Sequence, residues 1–106
     1  MSDLQSFKAF DRRRVLLSQE RWRHIKIRHP EVGNEIAILS KALSNPDEAY
    51  ENGRGGIHSI MRINESHFLV VIYEPTDDEG FVRTAYVTNV TRKERRYRGL
   101  QPLKRS

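Results

Sequence analysis

Residues 67–73 are apolar at almost every position, and residues 68–72 form the longest wholly apolar run in the chain. Side chains on a strand alternate between faces, so a run apolar on both faces belongs at the centre of a sheet that is covered on both sides. The run is far too short to span a membrane. Its neighbours extend the β pattern. In residues 57–63, Ile57, Met61 and Ile63 alternate with His58, Ile60 and Arg62. Residues 81–90 are rich in β-branched and aromatic side chains, with Thr84, Tyr86 and Thr88 on one face and Arg83, Ala85 and Val87 on the other. Asn64-Glu65-Ser66 makes a turn. Residues 74–80 combine a proline, several acids and a glycine, as in a solvated hairpin loop.

The first half follows a helical period. Val15, Leu16 and Leu17 are a strand or a lead into a helix. Ser18 is a good N-cap and Glu20 sits in the first turn, so the spacing predicts a helix over residues 19–28. Trp22 and Ile25 share its buried face, and Arg21, His24 and Arg28 share a second face. Pro30 forces His29 out of the helical region and ends the helix. A second helix is expected after Gly33, capped by Asn34, with Ile36, Leu39 and Leu43 as its apolar stripe. Asn45-Pro46-Asp47 stops it. Residues 51–56 hold three glycines and read as a loop. Thr91 is placed to cap a last, basic segment over residues 92–98. Trp22, Ile25, Leu39, Leu43, Leu69 and Val71 are expected to share one core. Helices first and strands after imply an α+β domain: N-terminal helices packed on a three- to four-stranded antiparallel sheet, with a basic C-terminal tail. A chain of 106 residues makes a single domain over 1–106. Residues 12–98 form the expected core, and 1–11 and 99–106 the flexible ends.

Charge narrows the function. Residues 1–31 carry a net charge of +4, residues 32–90 a net −5 and residues 91–106 a net +6. Fourteen of the 19 basic residues are Arg. Basic ends around an acidic middle suggest a polyanion-binding face built from the two ends, and Arg matches phosphate with a two-pronged donor fork. A solvated surface with basic tails is the plainer alternative. The chain has no Cys, which excludes disulfides, a thiol nucleophile and a cysteine zinc site. It also fits a reducing, cytoplasmic setting, as does an N-terminus without the apolar stretch of a signal peptide. No membrane partner is expected.

The densest chemical cluster is residues 22–31, with His24, His29, Arg23, Lys26, Arg28 and Glu31 at the end of a helix. Histidine suits proton transfer near neutrality. His24 and Arg28 are one turn apart, so a base and a phosphate clamp can face one ligand, while His29 approaches from another direction. A surface histidine beside salt-bridging arginines, and a simple helix stop at His29-Pro30-Glu31, are the structural alternatives. The second cluster is Arg83-Thr84-Ala85-Tyr86, whose hydroxyls can bind a phosphate oxygen or a base edge. Arg62 on the neighbouring strand adds a positive charge. Metal binding is not expected: His24 and His29 are five apart, and His58 and His67 fall on separate strands, so no zinc spacing appears. No glycine-rich phosphate loop follows a strand, and no cofactor is expected.

The stretch Leu17-Ser18-Gln19-Glu20-Arg21-Trp22-Arg23-His24-Ile25, running into Arg28-His29-Pro30-Glu31, then Asn45-Pro46-Asp47-Glu48 and Arg83-Thr84-Ala85-Tyr86, resembles the phage and bacterial nucleases of the barnase–EndoU–colicin–RelE superfamily. The end, from Val82 through Thr91-Arg92-Lys93-Glu94-Arg95-Arg96-Tyr97, is similar to the close of BrnT-like toxins of that superfamily. The resemblance covers residues 15–98. It implies a curved antiparallel sheet carrying RNA, and metal-independent cleavage in which the ribose 2′-hydroxyl attacks its own phosphate. The matching positions are His24, Arg28, His29 and Thr84. It also implies an antitoxin partner.

The expectation is therefore a small cytoplasmic, toxin-like endoribonuclease. His24 or His29 acts as general base or acid, Arg28 and Arg62 stabilise the charged phosphorane, and Thr84 and Tyr86 orient phosphate or base. Arg92, Lys93, Arg95 and Arg96 hold the RNA backbone. The alternatives are a non-catalytic RNA-binding protein on the same fold and a module whose basic tail meets an acidic protein.

Overall fold

A computed structural model describes residues 4–105. The chain runs β1 (Leu4–Lys8), β2 (Arg14–Ser18), α1 (Gln19–Arg28), a 3-10 turn (Pro30–Val32), α2 (Ala37–Ser44), β3 (Glu48–Glu51), β4 (Ile57–Arg62), β5 (His67–Pro75), β6 (Glu79–Asn89), α3 (Val90–Tyr97) and β7 (Pro102–Arg105). All seven strands form one sheet in the order β1-β2-β6-β5-β4-β3-β7. Every pairing is antiparallel except β2 with β6, which is parallel.

This corrects the expected architecture. The class is α+β, but the sheet is mixed and has seven strands, and the helices lie between strands. Two of the added strands come from segments expected to lie outside the core. Residues 4–8 pair with β2 and bury Phe7, and residues 102–105 pair with β3. The basic tail is a helix followed by a strand. The third added strand, β3, occupies residues 48–51, immediately before the glycine loop. These are short strands whose own patterns are weak; pairing with a neighbour makes them strands.

The doubly apolar β5 sits in the middle of the sheet, between β4 and β6. Leu69, Val71 and Tyr73 enter a core under α1 and α2, and Phe68, Val70 and Ile72 enter a second core under α3. Trp22, Ile25, Leu39, Leu43, Leu69 and Val71 all fall in the first core, as expected. The helix over residues 19–28 is also as expected: the Ser18 hydroxyl accepts from the Arg21 N–H at 3.0 Å. Two caps differ. α2 begins at Ala37 without a side-chain cap, and α3 is capped by Asn89, whose Oδ1 accepts from the Arg92 N–H at 2.8 Å, so Thr91 is not the cap.

Two details of β6 matter for the site. β2 pairs only with residues 79–81, which leaves the edge of β6 beyond them to α1 and the 3-10 turn. A bulge sets Tyr73 against Val82 and Ile72 against Thr84, so Arg83 is the extra residue. Gly80 suits that point, because a Cβ there would lie 3.0 Å from the buried Tyr73 ring and 3.2 Å from the Glu74 carbonyl, and both would have to give by a few tenths of an ångström. Among the described residues no helix is long and apolar enough to cross a membrane.

Candidate active site

The end of α1 is built around His29. Its backbone N–H donates to the Ile25 carbonyl at 2.7 Å, and its φ of −133° and ψ of 66° break the helix. Pro30 then starts the 3-10 turn and carries Glu31 back toward the sheet. Glu31 Oε2 lies 3.3 Å from His29 Nδ1, and it also accepts from the Val87 N–H on the open edge of β6 at 3.4 Å. One carboxylate thus ties the helix end and the imidazole to the sheet. A carboxylate only accepts, so it favours a proton on the nearby Nδ1 and turns Nε2 away from Glu31. The His29 ring lies 5.9 Å from the Tyr86 ring at 44°, and its side chain is 34% exposed, which keeps Nε2 within reach of a ligand.

His29 lines an open cleft of about 260 Å³ with Arg21, His24, Ile25, Arg28, Arg83 and Thr84. The four residues expected to carry the chemistry, His24, Arg28, His29 and Thr84, therefore come together. Arg83 is held to Glu74 at 2.7 Å. Arg21 and Arg28 make no ion pair among the described residues, so their charges are available to an anion. His24 is held more loosely than His29. It is 58% exposed, and its Nε2 is 3.9 Å from the Glu20 carboxylate.

A second cleft, of about 340 Å³, lies beside α3 and is lined by Tyr86, Val87, Thr88, Arg92, Lys93, Arg95, Arg96 and Tyr97. The Arg96 guanidinium lies 5.8 Å from the centre of the Tyr86 ring. Tyr86 thus has His29 and Arg96 as neighbours and stands where the two clefts approach each other.

The expected basic residues are not equivalent. Arg92, Arg95 and Arg96 are exposed and make no ion pair among the described residues. Lys93 is spent on Glu48, in an ion pair that is largely shielded from solvent. Burial works to raise the Glu48 carboxyl, but hydrogen bonds from Lys93 and from the Tyr50 hydroxyl, at 2.5 Å, outweigh it and hold the group below its ordinary pKa. Arg62 lines neither cleft. It donates to the carbonyls of Asn64 and Glu65 at 3.1 and 2.8 Å and lies over the Phe68 ring. The run Arg12 to Arg14 forms the β1–β2 turn, where Arg13 pairs with Asp11 and Arg14 with Glu79. The positive face is therefore made by α1 and α3. Among the described residues no group of three or more His, Cys, Asp or Glu is placed to hold a metal ion.

His58 is 2% exposed and sits under α3. Burial, helped by the charge of Arg96, pushes its pKa down from 6.5 to about 4. Between those values the unfolded chain binds the proton that the folded chain refuses. The stabilisation is thus complete above the window and lost as pH falls through it, by about 3 kcal/mol. Glu48, held below its ordinary 4.5, begins to add its own loss at the acid end of that window and continues below it. His58→Gln should flatten the slope of unfolding free energy against pH in that window. An unchanged slope would assign the acid sensitivity to other groups.

Sequence reasoning gave Glu31 a part only as a substitute for the histidines, not as their partner. It stood in the cluster, but its contact with the edge of β6 bridges 56 residues of chain and has no local signature. A family model described as phage-Barnase-EndoU-ColicinE5/D-RelE like nuclease3 matches residues 2–95. That span includes every residue of the cleft beside α1 and ends within α3. No curated protein and no solved structure matches the chain.

Proposed function

Because the chain belongs to the phage-Barnase-EndoU-ColicinE5/D-RelE like nuclease family, we propose that it is an endoribonuclease that needs no metal ion and turns the ribose 2′-hydroxyl onto the adjacent phosphate. The observation that supports this most is the carboxylate-held imidazole of His29, opening into a cleft with unpaired arginines. His29 Nε2 takes the proton of the 2′-hydroxyl, and the 2′ oxygen attacks phosphorus. The bond from phosphorus to the 5′ oxygen breaks, leaving a 2′,3′-cyclic phosphate and a 5′-hydroxyl. His24, in the same cleft and in its protonated form, returns a proton to the departing oxygen. Arg28 and Thr84 hold the non-bridging oxygens, where preorganised charge and hydrogen bonds favour the phosphorane over the ground state. Arg62 lies outside this arrangement and takes no part in the chemistry.

The strand continues along α3, where Arg92, Arg95 and Arg96 contact its backbone and Tyr86 offers a ring to a base. Lys93 supports the helix through Glu48 and contributes less. Neutralising Arg95 and Arg96 together should lower RNA affinity for all sequences and reduce the salt slope by about one to two. An unchanged slope would move α3 from RNA to a protein partner.

We extend the reading to a toxin-like cleaver in the cytoplasm. A ribonuclease active without a cofactor would attack the RNA of the cell that makes it unless restrained, and the same unpaired arginines offer an acidic antitoxin a surface to cover. The deciding experiment incubates the purified protein with RNA in EDTA and analyses the ends. Cyclic phosphate termini support the enzyme. Retarded but intact RNA would replace it with the non-catalytic RNA-binding reading.

A further inference from the structure

A chain of hydrogen bonds runs from an exposed loop to a buried end at Tyr97, near Tyr86, and each of its links has a direction. It starts in the glycine loop after β3. Asn52 Oδ1 accepts from the backbone N–H groups of Arg54 and Gly56, at 2.8 and 3.0 Å. These two donors fix the amide, so its NH₂ faces His58 Nε2, 3.1 Å away. An NH₂ group only donates, so His58 Nε2 accepts and the imidazole proton sits on Nδ1. His58 Nδ1 then donates to Tyr97 Oη at 2.7 Å. Glycine at position 56 belongs to this arrangement, because a Cβ there would lie 2.8 Å from Asn52 Nδ2.

Tyr97 Oη has accepted one hydrogen bond and still holds its own proton. Its pKa is raised, chiefly by burial and next by the neighbouring Tyr86 hydroxyl. Tyr86 Oη is buried and has no well-formed hydrogen bond of its own. A buried hydroxyl without a partner is costly, so the remaining Tyr97 proton has one natural destination. The other end of Tyr86 is the ring that contacts His29 and lies under Arg96.

We propose that Asn52, His58 and Tyr97 are positioning residues of the active site: they aim the Tyr97 hydroxyl at Tyr86 and so fix the ring against which His29 rests. The role proposed for the three needs no contact with substrate, although Tyr97 borders the α3 cleft. The proposal rests on His29 being the base of the proposed reaction, but one of its tests needs no catalysis. His29 has two lateral supports, Glu31 at Nδ1 and the Tyr86 ring. A ring free to tilt would let Nε2 drift, and displacement of about 1 Å at a reacting group can cost about a hundredfold in rate.

The test uses Tyr97→Phe in the full chain, with a single-stranded RNA oligonucleotide as the probe. The expected result is a kcat lowered about ten- to a hundredfold with KM changed less than about twofold, because the arginines that bind phosphate are untouched. In a His29→Ala background the same substitution should change the residual rate by less than about twofold, since residues acting through one group are not additive. The His29 ring resonances in the NMR spectrum should move in Tyr97→Phe and stay in place in a control at Arg23. Equal rate losses in the two backgrounds, or His29 resonances that coincide with the parent's, would overturn the proposal. If Tyr97→Phe does not fold, Asn52→Ala leaves all the rings in place and is read by the same criteria. If the parent leaves RNA intact, the proposed function fails, and the His29 spectrum still decides whether the chain of hydrogen bonds positions that ring.

Discussion

Replacing His29 by alanine should reduce RNA cleavage by about 10²–10⁴-fold while leaving most RNA affinity in place. Binding and proton transfer fall to different side chains. On the proposed mechanism affinity comes from Arg21, Arg28, Arg92, Arg95 and Arg96, whose charges are unpaired among the described residues. Proton transfer needs a basic nitrogen held in one orientation, and His29 has Nδ1 tied to Glu31 and its ring beside Tyr86. Glu31→Gln is therefore informative. An amide turned with its NH₂ toward His29 favours the opposite tautomer, so the rate should fall while binding stays. His24→Ala should lose less, because His24 is exposed and loosely held, so less of its action depends on a fixed orientation. Arg28→Ala should damage binding and rate together, since a guanidinium contacts phosphate in the ground state and in the transition state. Single-turnover rates and gel retardation on one RNA separate these outcomes. If His24→Ala and His29→Ala both cleave at the parent rate, the histidines are structural and the histidine mechanism is wrong.

Trp22→Ala should cost about 3–5 kcal/mol of stability. Trp22 is 8% exposed and packs in the core with Ile25, Leu39 and Leu43. One edge of the ring borders a cleft that also involves Leu17 and Ile36. Water can enter a vacated site there, which places the loss toward the lower end of the range. The effect on function should exceed the effect on folding. Trp22 and Ile25 are the inward side of the helix whose other side carries His24 and Arg28, so a loosened α1 moves the cleft. Denaturant midpoints of parent and variant measure the first effect, and cleavage by the still-folded variant measures the second. A variant as stable as the parent would show that the ring contributes nothing to the core.

The parts of the fold legible in the sequence are those in which local chemistry and tertiary packing agree. Ser18 caps α1 because a serine hydroxyl meets an orphan N–H wherever that helix starts. Pro30 ends it for a steric reason that needs no partner. The doubly apolar β5 had to be central. The family resemblance, carried by residues 17–31 and 83–86, agrees with the family whose model spans residues 2–95. The clustering of His24, Arg28, His29 and Thr84 followed from that resemblance, and the cleft beside α1 brings those four side chains together.

What the chain alone determined, then, was the helix that carries His24 and stops at His29, the apolar core of the sheet and the excess of arginine at both ends. Tertiary structure decided the rest through contacts between residues far apart in sequence. The peptides Leu4–Lys8, Glu48–Glu51 and Pro102–Arg105 become strands only because neighbours offer them hydrogen bonds, and the parallel pairing of β2 with β6 joins segments more than 60 residues apart. Likewise, which cations remain free was settled by partners no local pattern shows: Glu48 takes Lys93, two carbonyls take Arg62, and Arg92, Arg95 and Arg96 are left facing solvent. The difference in setting between His29 and His24 has the same origin. Both lie in one cluster of the sequence, but only the fold sets a carboxylate anchored to β6 beside one of them, because that anchor is a backbone N–H on an edge that β2 stops short of covering.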